Sequence, residues 1–195
     1  MKKNGDKKNM KLMWGITGTG YVLQESIDLM KELQEDFKID LTVILSKEGA
    51  AVVKWYKKWL ALTEAVKKVK IEKTPNIPFY AGPLQLGNYD MFLVCPVSAN
   101  SVAKIVNGIA DTIITNCVAQ AIKGGQIVYI FPSDQDIEPI MTSRPDGSPL
   151  VLKIRDIELE NIEKLKNMEG IKVISDFSEI KPLILGKVEE KSVEI

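Results

Sequence analysis

Five short apolar runs punctuate this chain of 195 residues, and the stretches between them carry apolar residues at helical spacing. The runs are Lys11 to Thr17, Ile39 to Leu45, Met91 to Pro96, Gln126 to Phe131 and Ile171 to Ile174. A short run that is apolar without alternation suits a strand buried on both faces. Strands that alternate with helices form a parallel sheet covered on both sides. The pattern therefore predicts an α/β fold, a Rossmann-like three-layer sandwich with a mainly parallel sheet. Leu23, Ile27, Met30, Leu33 and Phe37 recur every three or four positions, which predicts a helix from Val22 to Phe37. A second helix is expected over Gly49 to Leu62, where Trp55 and Trp59 would share a face. Pro75, Pro78, Gly82, Pro83 and Gly87 then mark a long loop, preceded by a short strand near Val69 to Ile71. Two linked helical segments cover Asn100 to Ala121, and Gly124-Gly125 stops the second. The turn Arg144-Pro-Asp-Gly147 predicts a hairpin returning over Leu150 to Ile154. A helix bearing Leu159, Ile162, Leu165 and Met168 precedes the last run. Residues 1–10 read as a disordered basic tail, 11–186 as one domain, and 187–195 as a C-terminal tail.

Composition removes whole classes of function. Lys plus Arg and Asp plus Glu number 26 each, so there is no basic excess for a nucleic-acid binder. There is no histidine, which excludes Ser-His and Cys-His nucleophile pairs, a histidine base and histidine-ligated metals. A cofactor is then the natural source of chemistry. Cys95 and Cys117 lie in apolar runs without metal-type spacing, which suits small buried hydrophobes in a reducing compartment. The polar start is not followed by an apolar stretch, and Met91 to Val97 is far too short to span a membrane. These features point to a soluble, cytoplasmic protein.

In parallel sheets of this kind ligands bind beyond the carboxyl ends of the strands, where the strand order reverses. After the first run stands Thr17-Gly-Thr-Gly20, which lets backbone approach an anion at a helix start. A dinucleotide fingerprint would need a third glycine where Leu23 stands. The second run ends at Ser46, not at the acid that holds a ribose diol. A hydroxyl beside a helix start suits a monoester phosphate, although plain turn chemistry also explains both features. The third loop packs Ser98, Asn100 and Ser101 together. Helix capping needs one of them; an amide and two hydroxyls could also line a crevice for the edge of a flat heterocycle.

Pro96 to Asp111 (PVSANSVAKIVNGIAD) follows the segment P-A-S/T-A-N-T/S-x-A-K-x-x-x-G-I-A-D nearly throughout. In this the chain resembles the flavoproteins related to the homo-oligomeric flavin-containing cysteine decarboxylases. The likeness extends to the glycine loop, Ser46 and Thr115-Asn116, most of residues 11–135. It implies that Gly18, Thr19, Gly20 and Ser46 hold the phosphate of FMN. Pro96, Ser98, Asn100 and Ser101 would hold the ribityl chain and isoalloxazine, with Asn116 near the ring. It also implies a homo-oligomer, a trimer or a multiple, with FMN close to a subunit interface. Trp55, Tyr56 and Trp59 would pack in the core, against a neighbouring subunit or over the flavin.

The resemblance also separates branches. The decarboxylases use a histidine and a P-x-M-N-x-x-M-W segment, whereas here Phe131-Pro-Ser-Asp-Gln135 stands at that place. A phosphopantothenoylcysteine decarboxylase-like activity is therefore disfavoured. A flavin prenyltransferase-like activity would need arginines for an isoprenyl phosphate, and Arg144 and Arg155 are the only two. Trp14-Gly-Ile-Thr-Gly18, Leu45-Ser-Lys47, Val118-Ala-Gln-Ala121 and the stretch from Pro149 to Gly170 are similar to archaeoflavoproteins, relatives of the acceptor-type dihydromethanopterin reductases. That likeness implies an FMN-binding redox flavoprotein, with no obligatory catalytic side chain. Two cysteines cannot hold an iron–sulfur cluster, so electrons would come from a ferredoxin-like protein and pass to a dihydropterin or another redox protein. Lys47, Lys54, Lys57 and Lys58 would form its docking surface or a solvated helix face.

Overall fold

The structure is a computed structural model that describes residues 9–37, 39–75, 78–135 and 140–193. The strands are β1 (Lys11–Ile16), β2 (Asp40–Leu45), β3 (Lys68–Ile71), β4 (Met91–Val97), β5 (Val128–Pro132), β6 (Ile140–Ser143), β7 (Pro149–Leu152) and β8 (Ile171–Val173). The helices are α1 (Leu23–Asp36), α2 (Lys47–Trp55), α3 (Trp59–Ala65), α4 (Pro78–Gln85), α5 (Ala99–Val106), α6 (Ile113–Lys123), α7 (Asp156–Lys166) and α8 (Ile180–Val193). Six strands pair in parallel in the order β3-β2-β1-β4-β5-β8. β6 and β7 form a separate antiparallel hairpin.

Side chains alternate across each strand, so β1 feeds two cores. Leu12, Trp14 and Ile16 join the residues of α1, α2, α3 and α8 on one face of the sheet. Met13 joins α4, α5, α6 and α7 on the other. This is the expected three-layer α/β sandwich. Cys95 lies in the first core and Cys117 in the second, both free and buried. Burial raises both thiol pKa values, that of Cys117 to about 12, so neither is a thiolate at neutral pH. Among the described residues no helix is long and apolar enough to cross a membrane.

Several expectations need correction. The helix anticipated over 49–62 is two helices, because the chain turns at Lys57 with φ 58°. Trp55 and Trp59 therefore do not share a helical face. Trp55 is 66% exposed, while Trp59 packs against the first core. The proline-rich stretch after residue 75 is not all loop, since α4 occupies Pro78–Gln85. Pro78 takes the first helical position, where its missing N–H costs nothing. The helix buries Ala81 and Leu84. At the far end the domain does not stop at 186. α8 runs to Val193, with Ile180 and Ile184 buried, Val188 against the first core, and Lys191 paired with Asp90. The N-terminal tail is also shorter than expected, for Met10 is buried and its carbonyl accepts from Asp40 N. The remainder of that tail, residues 1–8, lies outside the described residues.

Candidate functional site

The strand order reverses between β1 and β4, and Thr17 joins their two ends. Its amide and hydroxyl both donate to the Pro96 carbonyl at 3.2 Å, and its Oγ1 accepts from Ser98 N at 2.7 Å. Buried to 1% exposure, Thr17 fixes the Gly18 turn against the start of α5. Ser98 caps that helix, its hydroxyl accepting from Ser101 N and lying 3.1 Å from Ser101 Oγ. Ser46 caps α2, accepting from Gly49 N at 2.9 Å. Thr112 caps α6 through a reciprocal pair with Thr115. These three helix starts open on one cleft of about 390 Å³. Helix starts carry partial positive charge and unpaired N–H groups, so the cleft favours an anion. Its size is within the range of small-ligand pockets, roughly 300–1,000 Å³.

Gly18, Ser46, Ser98, Asn100 and Ser101 line this cleft together. They come from three loops separated widely in sequence. Gly18 is needed for close packing: a Cβ there would lie 2.9 Å from the Cβ of Glu48. Thr19 and Gly20 turn elsewhere. They line a smaller cavity of about 80 Å³ with Tyr56 and the hairpin residues Thr142, Leu150 and Leu152. A Cβ on Gly20 would fall 2.5 Å from the Tyr56 ring, whose hydroxyl donates to the Ser143 carbonyl. Pro96 is not among the residues that line the cleft; its carbonyl, after a cis Cys95–Pro96 peptide, accepts from Thr17. Asn116 is not among the lining residues either, but its Nδ2 donates to the carbonyl of Pro75, which lines the cleft.

Sequence reasoning missed the charged wall. Lys47, Glu48, Glu72, Lys104 and Asp111 also line the cleft. Lys104 Nζ donates to both Asp111 oxygens, at 2.9 and 2.8 Å. Both belong to the Pro96–Asp111 segment, and their spacing across the end of α5 was a usable signal. Glu72 follows the edge strand β3, and no local pattern marks it. Neither arginine reaches the cleft: Arg155 pairs with Glu158, and Arg144 braces its own hairpin turn. Among the described residues no group of three or more Cys, Asp or Glu could hold a metal. Beside this charged wall the cleft offers the hydroxyls of Ser46, Ser98, Ser101 and Thr112, the amide of Asn100 and helix-start N–H groups, a set suited to gripping a phosphate and the polar edges of an attached group.

Comparison with known proteins supplies the family. The family model described as Flavoprotein matches residues 1–192. The uncharacterized protein MJ0730 of Methanocaldococcus jannaschii is 45% identical over 182 residues, covering 93% of this chain and 98% of that protein. A dihydromethanopterin reductase (acceptor) of the same organism is 38% identical over 144 residues, 70% of this chain and 58% of the reductase. The chain thus spans little more than half the length of that relative. Among solved structures, DmrB of Burkholderia xenovorans in complex with FMN, described as a cubic protein cage for redox transfer, superposes with a TM-score of 0.78. It is 27% identical, with 97% of this chain and 99% of that chain covered. On these matches, and on the cleft that its three loops build, the chain belongs to the Flavoprotein family.

Proposed function

We propose that this chain is an FMN-binding redox protein that takes electrons from an iron–sulfur partner of the ferredoxin kind and delivers them to a dihydropterin or another redox protein. The observation that carries the reading is the meeting of Gly18, Ser46, Ser98, Asn100 and Ser101 in one cleft at the switch point of the sheet. Gly18 and Ser46 would hold the phosphate, whereas Thr19 and Gly20 would shape the adjoining turn against Tyr56. Ser46 Oγ accepts from Gly49 N and so keeps its own proton to donate to an anion. Pro96, Ser98, Asn100 and Ser101 would hold the ribityl chain and the ring, with Asn116 at the ring's edge. When bound, FMN supplies the one- and two-electron chemistry that the side chains cannot. The chain's own part is to bind, orient and set the electrostatics, and no residue of the cleft is required as an acid or base.

Decarboxylase- and prenyltransferase-like readings are weaker, because the chain has no histidine and neither arginine lines the cleft. Free buried thiols fit a reducing, cytoplasmic setting. We also propose a homo-oligomer. Leu60, Phe79, Leu86 and Met141 are each at least two-thirds exposed, and self-association would cover such residues.

The test is anaerobic reduction of the FMN-reconstituted protein. A reduced ferredoxin is expected to bleach the flavin absorbance within seconds, while NADPH alone leaves it yellow. Rapid bleaching by NADPH with none by ferredoxin would contradict the assignment of the donor.

A further inference from the structure

Glu72 occupies a place in the cleft that the fold does not require. Its backbone N–H extends the β2–β3 ladder by donating to the Leu45 carbonyl at 2.9 Å. The side chain is not needed for that. It is buried to 6% exposure, lines the cleft, and accepts from Lys47 N at 3.1 Å. Among the described residues no cation pairs with it. A carboxylate this buried ordinarily has a counter-ion. Here its compensation is the first amide of α2. Ser46 takes the third amide, Gly49 N, so Glu72 holds a donor that an incoming anion would otherwise use. The charges lining the cleft do not cancel it: Lys104 and Asp111 pair with each other, and the single charges of Lys47 and Glu48 are opposite, which leaves the cleft with one net negative charge.

We propose that Glu72 is a specificity-determining residue of this cleft, a built-in anion that competes with the ligand's phosphate for the start of α2. Its effect is to hold affinity for the phosphorylated flavin below what Ser46 and the bare helix start would give. The inference rests on the FMN reading above. It also ties the phosphate end to Asn116, because the segment from Glu72 leads directly to Pro75, whose carbonyl Asn116 grips.

Two ligands separate the possibilities, FMN and riboflavin, which lacks the phosphate. In Glu72→Gln the amide oxygen still accepts from Lys47 N while the charge is gone. FMN is expected to bind about tenfold tighter to this variant, as removal of a nearby like charge allows, with riboflavin unchanged. Glu72→Ala removes the hydrogen bond as well and serves if the glutamine variant folds poorly. It must raise the same FMN-to-riboflavin preference even where both affinities drop. Equal weakening of both ligands, or no change in their ratio, overturns the role assigned to Glu72. A wild-type protein that binds neither flavin overturns the FMN reading itself, and this inference falls with it.

Discussion

Gly49→Ala is expected to lower the unfolding free energy by about 1–3 kcal/mol, the opposite of its effect in an open helix. In a helix interior alanine is ordinarily better than glycine by about 1 kcal/mol. Gly49 lies in the first turn of α2, however, where the helix presses on the end of β1. A Cβ there would stand 2.5 Å from the Ile16 carbonyl oxygen and 3.2 Å from Ser46 Oγ. The carbonyl cannot turn aside without breaking its bond from Ser46 N. The start of α2 must shift instead, and it carries Ser46 and Glu48 away from Gly18. Stability and FMN affinity should therefore fall together, the latter by at least tenfold. Gly82→Ala in α4 is the control, for a Cβ there meets nothing within 4 Å. That change should stabilise by about 0.5–1 kcal/mol. Urea midpoints at unchanged slope read both effects.

Ser46→Asp should separate folding from binding. Aspartate, asparagine and serine are comparable N-caps, so the bond from Gly49 N survives, and the denaturation midpoint of Ser46→Asp should fall only by what the added charge beside Glu72 costs, with Ser46→Asn as the uncharged reference. The new carboxylate lies where the phosphate is proposed to sit. A like charge at ~5 Å in a partly buried site costs about 3 kcal/mol, which is about 100-fold in affinity. FMN affinity is thus expected to fall about 100-fold in Ser46→Asp, with riboflavin much less affected. Ser46→Asn caps equally well without the charge and should lose only a small part of the affinity. Identical behaviour of the two variants toward FMN would place the phosphate elsewhere.

The layout of the sheet was readable because each central strand is apolar on both faces. β1, β2, β4 and β5 lie between two helical layers, and Leu12 and Met13 need burial on opposite sides. What escaped notice was set by single residues against their local tendency. Lys57 adopts a left-handed conformation that nothing in its neighbourhood announces, and it splits one apparent helix into two. Pro78, Gly82 and Pro83 look like breakers, yet Ala81 and Leu84 pull that stretch into the second core as α4. Tertiary packing overrode propensity there, as it did at Pro182 and Gly186 inside α8.

The cleft divides in the same way. Ser46 and Ser98 were legible because strand-end loops are where such folds bind ligands, and each cap sits directly after its strand. Thr19 and Gly20 stand in the same short loop as Gly18, yet they face Tyr56, whose position depends on the break at Lys57. Glu72 reaches the start of α2 only because β3 pairs with β2 in parallel at this register. No spacing within the chain could reveal that contact.

The most direct test of the whole account is a titration of the purified, cofactor-free protein with FMN, followed by flavin fluorescence. One FMN per chain, retained through desalting and bound more weakly when Ser46 is aspartate, is the predicted result. A protein that leaves FMN fluorescence unchanged at saturating concentration would contradict it.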